Sequence, residues 1–164
     1  MTGNLKFVVD GMLGKVARWL RIFGYDAEYL GGVDDFKLIR YAKKSGRILL
    51  TSDLELYRFA LKSGVNVFHV EGSLNEADKL LKVVKEFKLK LSLEVPSKTR
   101  CPICNYPLKK VKPKNVEGLV PEQTLKTYKD FWVCSNRRCR KIYWKGKHWR
   151  QIRKIVEKAK GRNF

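Results

Sequence analysis

Two sets of side chains in this sequence can do chemistry, and both do it through a cation. The first is Cys101, Cys104, Cys134 and Cys139, which are all the cysteines the chain has. Cys101-Pro102-Ile103-Cys104 is a C-P-x-C turn that aims two thiolates at one point, stiffened by its proline. Cys134 and Cys139 add a second pair at C-x4-C spacing, and two pairs on facing hairpins give tetrahedral four-sulfur coordination. Such a site is closed, so the expected ion is a structural Zn with no position open for catalysis. His148 is the alternative ligand, and packing beside Trp144 and Trp149 is its plainer role.

The second set is acidic. Asp10 and Asp53 each stand at the end of an apolar run, and Asp34 and Asp35 open an amphipathic stretch. The C-terminal strand ends of a parallel sheet share one edge, so Asp10, Asp53 and one of Asp34 and Asp35 can meet there. Carboxylates brought together repel unless a divalent cation neutralises them, and Mg or Mn held this way activates water against a phosphodiester. The same positions suit helix N-caps, a purely structural use of aspartate. Lys15, Arg18 and Arg21 follow Asp10 at intervals of three, placed to hold substrate phosphates or to pair with Asp26.

Positioning these groups requires a regular scaffold. Leu5–Val9 reads as a buried strand, and Leu13, Val16, Ala17, Leu20 and Phe23 recur at helical spacing before Gly24 stops the helix. Residues 27–30 form a short strand candidate, and Gly31-Gly32 a turn. A second helix starts at Asp34 or Asp35, buries Phe36, Leu38, Ile39 and Ala42, and ends at Gly46. Residues 47–51 are a strand, Asp53 caps a helix over 54–62, residues 65–70 are a strand, and 75–87 a helix. This β-α-β-α alternation predicts a parallel sheet with helices on both faces. It stops near Pro96, which divides the chain into an α/β domain over 1–96 and a second module over 97–164.

Charge divides at the same place. The chain has 36 Lys+Arg against 16 Asp+Glu, a net charge of +20. Residues 1–96 hold 16 of the cations and 12 of the acids, and residues 97–164 hold 20 and 4. A surface so positive draws polyanions, above all nucleic acid. Arg137, Arg138, Arg140, Lys147 and their basic neighbours are interleaved with Tyr143, Trp144 and Trp149, cations for phosphates beside rings for bases. A basic helix with an apolar stripe at Trp149, Ile152, Ile155 and Val156 closes the module. No signal-peptide pattern or run of 18 apolar residues is present, so the expected setting is soluble and cytoplasmic, with the cysteines reduced.

Several of these stretches also resemble one family. Phe7-Val8-Val9-Asp10-Gly11-Met12-Leu13-Gly14-Lys15-Val16-Ala17-Arg18-Trp19-Leu20-Arg21-Ile22-Phe23-Gly24-Tyr25-Asp26 resembles the opening signature of the Mut-seven C-terminal RNase domain family. Ile48-Leu49-Leu50-Thr51-Ser52-Asp53 is similar to its second motif, and the C-P-x-C pair with Tyr143-Trp144-Lys145-Gly146-Lys147-His148-Trp149 to its ending. The resemblance implies a PIN-like fold, then a zinc ribbon, and a metal-dependent ribonuclease activity with Asp10 and Asp53 at acidic positions of the core. Two departures stand out: C-x4-C replaces an expected C-x2-C, and a fourth acid is not obvious, Asp78 being the candidate. The first expectation is Mg- or Mn-dependent endonucleolytic cleavage of structured RNA. The second is a non-catalytic RNA-binding adaptor associated with ribosomal or transfer RNA. A DNA-binding regulator ranks last because no helix-turn-helix pattern is present.

Overall fold

The computed structural model describes residues 4–92 and 98–161. The chain forms two compact units, Met1–Leu91 and Ser92–Phe164. The boundary expected at Pro96 lies outside the described residues. Among the described residues no helix is long and apolar enough to cross a membrane.

The first unit carries β1 (Lys6–Val9), β2 (Asp26–Tyr29), β3 (Ile48–Thr51) and β4 (Val67–His69), all parallel, in the order β2-β1-β3-β4. Between and after them run α1 (Gly14–Ile22), α2 (Asp35–Ser45), α3 (Leu54–Lys62) and α4 (Glu76–Glu86), with a single 3-10 turn, Gly11–Leu13, leading into α1. Alternate strand residues face opposite sides. Val8 and Leu49 pack with Leu38, Ile39, Ala42, Leu56 and Ala60, so α2 and α3 cover one face. On the other, Phe7 and Phe68 meet Phe87 edge-on at 5.4 and 5.6 Å, just past the end of α4.

Two of the helix stops are glycines for a steric reason. Gly46 takes φ 65° at the end of α2, where its N–H returns to the Ala42 carbonyl. Gly64 takes φ 72° after α3. A side chain at either position would be strained.

Phe36 corrects the expected core. It is 72% exposed, touching Phe59 edge-on at 5.0 Å. An 11-residue helix extends about 16 Å, whereas four strand residues extend about 13 Å, so a first turn of α2 has no strand beneath it.

At the opposite end of the sheet, Asp26 opens β2 and Arg47 precedes β3. The guanidinium grips the carboxylate twice, at 2.7 and 3.1 Å, and also donates to the Phe7 carbonyl at 3.1 Å. Their side chains are only 11% and 14% exposed. Removing the cation takes two charged hydrogen bonds from a largely buried carboxylate, so Arg47→Met is expected to cost up to about 3–5 kcal/mol. Urea unfolding checks this, and a loss below about 1 kcal/mol would assign the pair no more than a surface bridge's value.

The second unit is an antiparallel sheet of β5 (Leu108–Val111), β6 (Phe131–Cys134) and β7 (Ile142–Tyr143), in that order. A short α5 (Glu122–Thr127) lies between β5 and β6, and α6 (Lys147–Gly161) ends the described chain. Ile152, Ile155 and Val156 of the predicted stripe are buried, and Trp149 is half-buried. Of the 30 buried apolar residues described, only 8 belong to this unit, and two of those are Cys101 and Cys134. Its apolar core is small for its length.

Candidate functional site

The strand order makes β1 and β3 neighbours. The chain runs from β1 out to β2, then returns past β1 to β3, so the direction of winding reverses between β1 and β3. Crevices at such a switch point are where open parallel sheets bind ligands. Asp10 and Asp53 stand at the C-terminal ends of those two strands. A buried hydroxyl joins them: Thr51 donates to Asp10 Oδ2 at 3.0 Å and accepts from the Asp53 N–H at 3.0 Å. Sequence reasoning passed over Thr51. A hydroxyl closing an apolar strand just before an acid was the available signal.

Both aspartates also do structural work. Asp10 Oδ1 accepts from the Gly11 N–H at 2.7 Å, and Asp53 Oδ1 caps α3 by accepting from Glu55 and Leu56 at 2.8 and 3.1 Å. One oxygen of each carboxylate is thereby occupied, while Asp10 Oδ2 keeps a further lone pair beside the Thr51 hydroxyl. The cap bonds fall on Oδ1 of each carboxylate and leave Oδ2 outside them.

Asp34 and Asp35, left open by spacing, separate in three dimensions. Asp34 caps α2, accepting from Lys37 N at 3.0 Å and pairing with the Lys37 ammonium at 3.3 Å, and the Lys37 N–H holds its pKa below the usual carboxylate range. Asp35 is the one within electrostatic reach of the edge. Burial, then the charges of Asp53, Asp10 and Asp34, push its pKa up. Asp78 sits in the first turn of α4, bonded to Asn75 at 2.7 Å. A carboxyl with a raised folded pKa favours the fold while protonated and loses that contribution as pH rises through the raised value. At pH 7 the ionised Asp35 therefore destabilises. Asp35→Asn is expected to raise the unfolding temperature at pH 7, with the gain fading below the ordinary carboxylate range. A lowered midpoint at pH 7 would contradict this.

The basic row on α1 is shorter than predicted. Lys15 and Arg18 are exposed, but Arg21 is 5% exposed and its Nε donates to the Ala27 carbonyl at 2.7 Å. Three residues along a helix turn the side chain through about 300°, so the third member drifts out of line and toward the sheet. Arg21 ties α1 to β2 and is not placed to hold phosphate.

In the second unit all four cysteine Sγ atoms lie within 4.8 Å of one another. Cys101 to Cys139 is 3.8 Å and Cys104 to Cys134 is 3.3 Å. Zinc–sulfur bonds of about 2.3 Å in a tetrahedron put sulfurs about 3.8 Å apart, so the donor set fits that ion. Among the described residues this is the one group of three or more ligand atoms so gathered, and His148, exposed at the start of α6, is outside it.

The wide C-x4-C pair fits by a local insertion. In the first knuckle the Asn105 N–H returns to the Cys101 carbonyl at 2.9 Å, with Asn105 at φ 68°. In the second, the Arg140 N–H returns to Asn136 at 3.0 Å, with Arg140 at φ 48°. The two turns match, with Asn136 where the first cysteine would stand. Cys134 reaches the site from the end of β6, two residues upstream. Asn136 still serves the cluster through its side-chain bond to Cys104.

Burial pushes the Cys134 and Cys139 thiols up. Burial opposes ionisation of Cys104 too, but the Tyr106 N–H and bonds from its neighbours bring it down to about 7. Tyr143, read from sequence as a base-stacking ring, has its hydroxyl 3.0 Å from Cys101 Sγ. It is placed to orient the Cys101 sulfur. Arg137, Arg138 and Arg140 are all exposed on the second knuckle, and Lys147 is exposed at the start of α6. Trp144 is half-buried near Phe131, ring centres 6.4 Å apart, and Lys145 lies 5.2 Å over the Trp149 ring.

Residues 5–156 match the Mut7-C RNAse domain family. A human protein named Exonuclease mut-7 homolog is similar at 32% identity over 102 residues, or 61% of this chain. The match takes in only 12% of that protein's length. No solved structure matches.

Proposed function

Because the chain belongs to the Mut7-C RNAse domain family, we propose that it is an RNA-binding protein whose first unit is a PIN-like, Mg- or Mn-dependent ribonuclease. The observation that carries this reading is the Asp10–Thr51–Asp53 chain at the switch point of the parallel sheet. Asp10, Asp53 and Asp35 would hold the divalent cation. That cation supplies charge stabilisation at a scissile phosphate and a more acidic water. Thr51 fixes the Asp10 carboxylate, and the α3 cap fixes Asp53, so both are oriented before substrate arrives. Lys15 and Arg18, exposed on α1, would take flanking phosphates. Asp34, occupied by its cap and by Lys37, supports the α2 terminus rather than the cation.

The cysteine cluster holds a structural zinc in this reading, and the second unit grips RNA. Its Arg137, Arg138, Arg140 and Lys147 meet the backbone, with Trp144 and Trp149 offering partial ring faces. Contact dominated by phosphates predicts a steep salt dependence, with RNA affinity falling on the order of 10³-fold between 50 and 200 mM salt if about six contacts form. A flat salt response would rule out that mode of binding.

The catalytic half is tested with Mn²⁺ and RNA. Wild type should cleave and Asp10→Asn should not, whereas equal cleavage by both removes the assignment. A non-catalytic adaptor for ribosomal or transfer RNA is the second reading, favoured because the carboxylates do not form a group as tight as the cysteines. Binding without Mn²⁺-dependent cleavage would establish it.

A further inference from the structure

Each sulfur of the cysteine cluster has a hydrogen-bond donor, and at Cys101 that donor is a hydroxyl. Cys104 is met by the Tyr106 N–H, Cys134 by the Asn136 N–H and Cys139 by the Lys141 N–H. Each of these peptide groups stands two residues after its cysteine. Such a bond comes with the local turn and needs no particular side chain. Cys101 is met from far along the chain, by the Tyr143 hydroxyl, which lies 42 residues on and 3.0 Å from its Sγ. A metal-bound thiolate carries no proton, so with the ion present the phenol is the donor.

Sheet register is what brings the hydroxyl there. Tyr143 lies on β7, a strand of 2 residues at the edge of its sheet, directly opposite Trp132 of β6. Residues two apart on a strand face the same side, so Trp132 and Cys134 share a face, and Tyr143 shares it with them. Slipping β7 by one residue would turn the ring to the other face, away from the sulfurs.

Burial makes a donor at Cys101 count for more than one elsewhere. Cys101 is 0% exposed, whereas Cys104 and Cys139 are half-buried. Four thiolates around one divalent ion leave surplus negative charge on the sulfurs. Water shares in solvating that charge at the half-buried pair. At Cys101 protein donors must do so, and leaving a buried charge short of them is costly. A hydrogen bond to an ionised acceptor is also roughly twice as strong as one between neutral groups.

We propose that Tyr143 is an outer-sphere ligand of the metal, whose hydroxyl carries part of the Cys101 thiolate charge and sets how tightly the cluster retains zinc. This role rests on the structural-zinc reading above and adds to it a residue that is not itself a ligand. It also gives Tyr143 a place in the metal centre instead of the base-stacking place that its basic neighbours suggest.

The test is Co²⁺ substitution in the full chain, because sulfur-to-cobalt charge-transfer bands report the energy of the sulfur lone pairs. Wild type should show these bands with the pattern of tetrahedral four-sulfur coordination. A hydrogen bond lowers the lone-pair energy. Tyr143→Phe, which keeps the ring and loses the hydroxyl, should therefore move the bands to longer wavelength. Its zinc affinity, measured by competition with a chelator, should fall about 10–100-fold. Tyr128→Phe removes the hydroxyl of another half-buried tyrosine of this unit, one that points toward Gly146, and should change neither readout. Tryptophan emission matching zinc-loaded wild type would show that the variants are folded. The role is overturned if Tyr143→Phe keeps both the bands and the zinc affinity of wild type. Lost affinity with unmoved bands overturns it too, since the hydroxyl would then act on the fold and not on the sulfur. Failure of the zinc reading has a different signature: wild type itself would lack the four-sulfur bands, and both readings would fall.

Discussion

Stripping the proposed zinc from this protein is expected to unfold the second unit and leave the first folded. The second unit contributes only 8 of the 30 buried apolar residues described, too few to hold 3 short strands and the knuckles by apolar burial alone. Zinc bound to four thiolates supplies on the order of 10–16 kcal/mol of apparent free energy, more than a small domain's whole stability. The thiols resist ionising without it, because burial raises Cys134 and Cys139. Proton release on zinc binding follows, and affinity should fall steeply as pH drops below about 7, where Cys104 also protonates. The measurement is a chelator titration followed by tryptophan emission, since Trp132, Trp144 and Trp149 lie in this unit, with Trp19 in the other. Cys134→Ala should give the chelated spectrum without chelator. Native-like emission and amide dispersion after complete metal removal would mean that the cysteines are not structural ligands.

Asp10→Asn is expected to lower Mn²⁺-dependent RNA cleavage more than about 100-fold with no change of fold. Disturbing a group that merely orients a metal ligand already costs about 10–100-fold, so replacing a charged donor oxygen should exceed that. The fold survives because an Asn oxygen can still accept from the Gly11 N–H, as Asp10 does at 2.7 Å. Thr51→Val makes a graded companion. It removes the hydroxyl between Asp10 and Asp53 at nearly constant volume, so activity and Mn²⁺ affinity should fall together by about 10–100-fold. Mn²⁺ binding followed by calorimetry separates this from a purely structural effect. Undiminished Mn²⁺ affinity in Asp10→Asn would move the cation site away from this edge.

Local pattern was enough for much of the scaffold. Alternating apolar runs and helical stripes announce β1 through α4, and Asp53, Gly46 and Gly64 mark helix ends because their backbone roles depend only on near neighbours. The module between the cysteine pairs was less legible. Nothing in residues 105–133 alternates clearly, and β5 and β6 become strands by pairing residues 20 to 26 positions apart. Phe36 and Arg21 were misplaced for a related reason. A helical stripe shows which residues share a side, but not how far the sheet beneath extends, nor which carbonyl waits at the helix flank.

By itself, then, the sequence determined the two-part organisation, the parallel alternation, the cysteines that cluster and the basic character of the second unit. Those follow from composition, periodicity and spacing, which are properties of neighbouring residues. Only the tertiary structure decided that β1 lies beside β3, which brings Asp10 within reach of Asp53 through Thr51. It alone separated Asp35 from Asp34, and it alone showed how a C-x4-C turn reaches a site shaped for C-x2-C. Strand order and long-range side-chain contacts depend on residues 40 or more positions apart along the chain, such as Asp10 and Thr51, and no local pattern carries that information.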